Sequence, residues 1–123
     1  MFHLPPFTEL WSPKEAYKGE EFVRKDWVPL FNRHKVDLVI NGHTHAYCRG
    51  EQHGVTYAIV GGAGGMLDEE RIHDWGIFDV TLSEHHYVIM EQKNCELHWT
   101  AYNLQKEVID STILKSKVPS LSC

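Results

Sequence analysis

The chain predicts a mixed α/β domain, on three observations. An apolar periodicity of helical type over residues 19–34 runs directly into a short, mostly β-branched run, Val36 to Asn41. A second buried-looking run, Val55 to Val60, closes on Gly61-Gly62-Ala63-Gly64-Gly65. From Gly76 onward, strand-like segments alternate with short polar links. A length of 123 residues suits one domain that buries roughly two thirds of its unfolded surface. With 42% apolar and 24% charged residues, the composition is neither disordered nor low-complexity.

Taken in order, Met1 to Phe7 reads as the end of a strand stopped by Pro5-Pro6, with His3 at its tip. Between Gly19 and His34, Phe22, Val23, Trp27, Leu30 and Phe31 recur at three- and four-residue spacing, the stripe of an amphipathic helix. Pro29 either kinks that helix or makes it start near Asp26, which would cap it. Val36 to Asn41, directly after a helix, reads as a strand buried on both faces of a parallel-type sheet. Val55 to Val60 reads as a second such strand, and the glycine run after it as a sharp turn or a close approach. Gly76 to Leu82, His86 to Gln92, Glu96 to Asn103 and Val108 to Leu114 read as an antiparallel meander, because links as brief as Ser83 to His85 join antiparallel neighbours. The domain is assigned to residues 1–114 and a polar, solvated tail to 115–123.

Several function classes are excluded by charge and pattern. Twelve basic against 17 acidic side chains give a net charge of -5, which argues against nucleic acid as a binding partner. The longest apolar runs, such as Tyr57 to Val60, are far too short for a membrane segment, and residues 1–15 carry no secretory signal pattern. Cys48, Cys95 and Cys123 are widely separated, without a Cys-x-x-Cys pair, so neither a disulfide framework nor a thiolate zinc knuckle is indicated. Asp110-Ser111 lacks a nucleophile-elbow pattern, so a serine hydrolase is not supported.

The chemistry concentrates where Val36 to Asn41 emerges into Gly42-His43-Thr44-His45-Ala46-Tyr47. Sheets of this kind build sites at the carboxyl ends of their strands. Two histidines one residue apart project to the same side of an extended segment, within reach of one metal or of two adjacent ones. A hydrogen-bonded pair of loop histidines is the structural alternative. His3, at a comparable strand end, is a third imidazole.

These residues resemble a known family. A His-x-Pro turn at a strand end, a helix, then Val-Asp-Leu-Val-Ile-Asn-Gly-His-Thr-His-Ala-Tyr-x-Arg and a strand into Gly-Gly-Ala-Gly-Gly is similar to the C-terminal half of a calcineurin-like metallophosphoesterase of the purple-acid-phosphatase-like branch. The resemblance runs to about residue 114, including Val108-Ile109-Asp110-Ser111. It implies half of an αββα sandwich and hydrolysis of phosphoester substrates at a dinuclear metal centre. By the same resemblance His3 and His43 bind one metal and His45 the other. The two ions, divalent or trivalent, would be iron, zinc or manganese. Such a pair activates water for in-line attack and clamps the phosphate oxygens. The family's remaining ligands and its general acid come from Asp-x-His or Asp-x-Gly, Gly-Asp and Gly-Asn-His motifs; Asp-x-His, Gly-Asp and Gly-Asn-His do not occur here, and the one Asp-x-Gly, Asp74-Trp75-Gly76, follows the histidines instead of preceding them. They are expected upstream of Met1, in a missing N-terminal half of the same domain that is also the chain's partner. The alternative is a truncated, non-catalytic remnant that binds at most one metal and folds only against a partner. The compartment stays open, secreted or lysosomal locations being compatible with the family.

Weaker signals carry plainer readings. Tyr47 is either a hydrogen-bond partner of a metal-binding histidine or a buried aromatic. Arg49 is expected in an ion pair with Glu51 or Asp68, and Cys48 either packs or forms a zinc site with His53. Gly61 to Gly65 is either an anion nest or a close-packing turn. Asp68-Glu69-Glu70 and His85-His86 are expected at solvent, and His34, His53, His73 and His98 at surface or satisfied positions. A half-sandwich should also expose apolar surface around Phe2, Leu38 and Ile40.

Overall fold

In a computed structural model describing residues 1–12 and 16–117, the helical segment is split where Pro29 enters it. The strands are β1 (Leu10–Trp11), β2 (Leu38–Asn41), β3 (Tyr47–Gln52), β4 (Val55–Val60), β5 (Glu70–Arg71), β6 (Phe78–Leu82), β7 (His86–Lys93), β8 (Glu96–Asn103) and β9 (Val108–Lys115). Between β1 and β2 lie a π-helical turn, Val23–Trp27, and a short helix α1, Val28–Arg33.

Pro29 has no N–H, so the ordinary bond back to residue 25 cannot form. The Val28 N–H instead reaches back to the Val23 carbonyl, adding a residue to the turn, and Pro29 then sits harmlessly in the first turn of α1. Asp26 does not cap: Trp27 occupies that position, without a side-chain bond. The extra residue also breaks the expected apolar stripe. Val23 and Val28 face the core, whereas Phe22, Trp27 and Leu30 are 48%, 40% and 44% exposed.

A four-stranded sheet in the order β2-β4-β3-β6 forms the middle layer. β2 pairs parallel with β4, while β3 runs antiparallel to both β4 and β6. His53 and Gly54, with φ of 51° and 78°, make the two-residue turn that joins β3 to β4, the left-handed pair that matches the twist of a hairpin. One face packs Val39, Val55 and Tyr57 against Phe7 and Val28. The other packs Tyr47 and Ala58 against Trp99 and Ala101 of a second sheet, β7-β8-β9. The layers are therefore helix and loops, mixed sheet, antiparallel sheet.

Three expectations need correction. Met1 to Phe7 is not a strand end; the Phe2 N–H donates to the Ile40 carbonyl and the Gly42 N–H to the His3 carbonyl, tying this segment irregularly beside β2. The four-strand meander is split, because β6 pairs with β3 and the chain changes sheets at Ser83 to His85. A short link forces neighbouring strands together only if both stay in one sheet, and here the Gly62 carbonyl accepts the His86 N–H and turns the chain into the second layer. Finally, the apolar surface expected around Phe2, Leu38 and Ile40 is partly covered: Phe2 lies against Trp27 and Phe31 and the other two face the second sheet, while Phe2 and Ile40 still line an open, largely apolar cavity with Val60, Val88, Met90 and Trp99. Of the expected polar tail, Lys115 closes β9, Lys117 donates to the carbonyls of Val36 and Gly54, and residues 118–123 lie outside the described residues. Among the described residues no helix is long and apolar enough to cross a membrane.

Candidate functional site

Topology dictates the shape of the histidine loop. β2 and β4 are parallel neighbours and β3 lies beyond β4, so residues 42–46 must pass over the carboxyl end of β4. The crossing is tight: a Cβ on Gly61 would stand 1.8 Å from the Thr44 carbonyl oxygen. His43 takes up the bend with φ of 65°, a left-handed conformation that costs a non-glycine residue about 1 kcal/mol or more. Thr44 is buried and its hydroxyl meets that of Thr8 at 2.9 Å, pinning the loop to the N-terminal segment.

His3 and His43, forty residues apart in sequence, are brought together with His3 Nε2 3.1 Å from His43 Nδ1. That spacing fits a hydrogen bond, and it equally fits two nitrogens at about 2.0–2.1 Å from one cation. Trp11, Tyr17 and His3 surround the His43 ring with centroids 5.1, 5.1 and 5.0 Å away. Burial, and then the nearby His3, lowers the basicity of His43 and favours the neutral ring.

His45 is held differently. Its Nδ1 lies 2.8 Å from the Met66 carbonyl oxygen, which only accepts, so Nδ1 carries the proton and Nε2 presents a lone pair. A carbonyl bond of this kind is how metal-binding histidines are generally oriented. The backbone is clamped as well: the His45 N–H donates to Asp68 Oδ2 at 2.8 Å, and the Asp68 N–H donates to the His45 carbonyl at 3.1 Å. Gly65 lies against the ring, where a Cβ would meet Cε1 at 2.6 Å. The glycine run is thus a close-packing turn. Asp68, expected at solvent, is buried by its bonds to His45, a role no local pattern announces.

Other residues lie elsewhere. The Tyr47 hydroxyl donates to Asp110 Oδ2 at 2.6 Å and accepts from Trp99 Nε1 at 2.8 Å, so it serves the sheet interface rather than a histidine. Arg49 pairs with Asp110 through two bonds, 2.5 and 3.1 Å, and with Asp79 at 3.4 Å, and not with Glu51 or Asp68. Cys48 is fully buried, and that burial pushes its thiol up to about 12. His53 sits at the other end of β3, roughly 16 Å along the strand, which rules out the proposed zinc pair. His86, also expected at solvent, is buried where the chain changes sheets. Among the described residues, no three His, Cys, Asp or Glu side chains form a group able to hold a metal ion. The donors fit metal binding in kind and orientation but do not complete a site.

The chain is purple-acid-phosphatase-like in sequence and in fold. It is 26% identical over a 133-residue alignment to "Probable inactive purple acid phosphatase 24" of Arabidopsis thaliana, covering 84% of this chain and 22% of that protein. Its fold matches GAP50, described as the anchor in the inner membrane complex of Plasmodium, with a TM-score of 0.81 at 20% identity, over 94% of this chain and 35% of that one. It also matches the purple acid phosphatase PPD1 of yellow lupin seeds, with a TM-score of 0.78 at 18% identity, over 98% of this chain and 27% of that one. The chain therefore spans only a minor part of each relative's length. No protein-family model matches it.

Proposed function

We propose that the chain contributes His3, His43 and His45 to the dinuclear metal centre of a longer metallophosphoesterase that hydrolyses phosphoesters. The observation that carries the reading is the meeting of His3 Nε2 with His43 Nδ1, with His45, two residues further on, oriented by the Met66 carbonyl so that its Nε2 is left open. His3 and His43 would share one ion and His45 would hold the other, with iron, zinc and manganese all suited to the imidazoles. When bound, such a pair supplies an activated water and neutralises charge on the phosphoryl oxygens. The chain's own residues hold the rings: Trp11 and Tyr17 wall in His43, Met66 sets the His45 tautomer and Asp68 fixes its backbone. Bridging carboxylates and the general acid come from outside this sequence, because two dications need anionic ligands to sit side by side.

A second reading is favoured by the word "inactive" in the name of the Arabidopsis relative and by the incomplete ligand set. On that reading the chain is part of a non-catalytic protein that binds at most one ion. Metal titration of the intact protein, with a chromogenic phosphoester as substrate, separates the two. Two bound ions and turnover, both lost in His43→Ala and His45→Ala, support the enzyme. A single weak ion without turnover supports the non-catalytic reading, and wild-type rates in either variant reject the assignment of the histidines.

A further inference from the structure

Three widely separated cysteines indicated no disulfide framework, yet Cys95, half-buried in the turn between β7 and β8, is disulfide-bonded. The chain holds two other cysteines, and Cys48 is a free thiol buried in β3. The cysteine that remains is Cys123.

Strand β9 delivers the chain to the right place for that bond. Lys115 pairs with Glu96, and the Ser116 N–H then donates to the Cys95 carbonyl at 3.3 Å, so the chain leaves β9 beside the turn that holds Cys95. The Lys117 N–H donates to Asp37 Oδ1 at 3.2 Å, and its ammonium donates to the carbonyls of Val36 and Gly54. Against both anchors lies a cavity of about 380 Å³, whose lining includes Asp37, Leu38, Cys95, Leu97, Leu114 and Ser116. Val118 to Cys123 follow Lys117 directly. Six residues reach about 20 Å when extended, enough to cross such a space and come back to Cys95. Pro119 suits a turn in that stretch, and Val118 and Leu121 are apolar like Leu38, Leu97 and Leu114 of the cavity wall. Because the β8–β9 pairing already holds Ser116 at Cys95, closing the bond orders only the few residues beyond Ser116.

We infer that Cys95 and Cys123 form a disulfide that folds the C-terminal segment back over this cavity. The two thiols lose two protons and two electrons to a small-molecule or protein disulfide, whose S–S bond breaks to two thiols as the Cys95–Cys123 bond forms. Such a bond persists when the chain matures in an oxidising compartment. Neither metal nor phosphoester enters this inference. The test takes the intact protein, produced through the secretory pathway of cultured cells and purified without reductant. Free thiols are blocked with N-ethylmaleimide in denaturant before digestion with trypsin. Mass spectrometry should find the peptide Asn94–Lys106 joined to the peptide that begins at Val118, with maleimide on Cys48, and dithiothreitol should separate the two peptides. Under native conditions, trypsin should cut after Lys117 about tenfold faster in Cys95→Ser than in the unreduced wild type, since the released segment opens more often. Maleimide on Cys95 or Cys123, Cys95 joined to any other cysteine, or a disulfide-linked dimer overturns the bond. Equal cleavage rates overturn the cover over the cavity.

Discussion

His45 and Tyr47 are two residues apart, yet they sit in two polar clusters of opposite character. Around Tyr47 every group is answered internally: Trp99 donates to its hydroxyl, the hydroxyl donates to Asp110, and Arg49 grips the same carboxylate twice. Around His45, Met66 and Asp68 hold one edge of the ring and the backbone, while the other ring nitrogen is left open. His43 is strained and walled in by rings, with its nitrogen turned toward that of His3. A cluster that closes on itself fastens two sheets. One that is oriented but left open is organised for something outside the chain.

Removing the centre of the closed cluster should have the largest effect. Trp99→Ala should lower unfolding free energy by about 3–5 kcal/mol in denaturant titration, since it empties the inter-sheet core. Next comes Asp110→Ala, expected to cost about 2–3 kcal/mol because Arg49 and the Tyr47 hydroxyl lose their shared acceptor. This loss should depend on pH. Burial alone would raise the Asp110 carboxyl, but the bonds from Arg49 and Tyr47 outweigh it and hold it below its usual range. Its contribution is therefore present above about pH 4 and fades as pH falls through the lowered folded value, so Asp110→Asn should flatten that part of the acid limb. An unchanged acid limb would mean that the ion pair does not fasten the sheets.

The open cluster should respond in the reverse sense. Gly65→Ala places a Cβ against the His45 ring, so it should cost about 1–3 kcal/mol while displacing the His45 imidazole NMR signals. Smallest, and opposite in sign, is His43→Gly. It relieves the left-handed backbone and should stabilise the chain by up to about 1 kcal/mol while weakening metal uptake. If that variant is instead destabilised by more than about 1 kcal/mol, the ring wall around His43 is structural and the contrast between the clusters fails.

Parts of this were legible beforehand. Val36 to Asn41 and Val55 to Val60 announced β2 and β4 by their mostly apolar, β-branched character, and Gly-His-x-His announced the loop by its chemistry. β3 was not visible, because Cys48, Arg49, Gly50 and Glu51 do not alternate as a strand facing water does; it is central, with apolar layers on both sides and an ion pair at one edge. His86 resembled a turn histidine until the change of sheets buried it. The helix misled for the same kind of reason: one missing N–H at Pro29 shifts the register of everything after it.

The sequence by itself determined the secondary elements that rest on local periodicity, the three candidate imidazoles, and the lack of Gly-Asp and Gly-Asn-His motifs. Only tertiary structure decided which imidazoles meet, that Asp68 and the Met66 carbonyl orient His45, that Arg49 answers Asp110, and that His86 is buried where the chain changes sheets. The physical reason is that periodicity is written into neighbouring residues. Hydrogen-bond partners twenty to sixty residues apart are chosen by which strands lie side by side, and no local pattern records that choice.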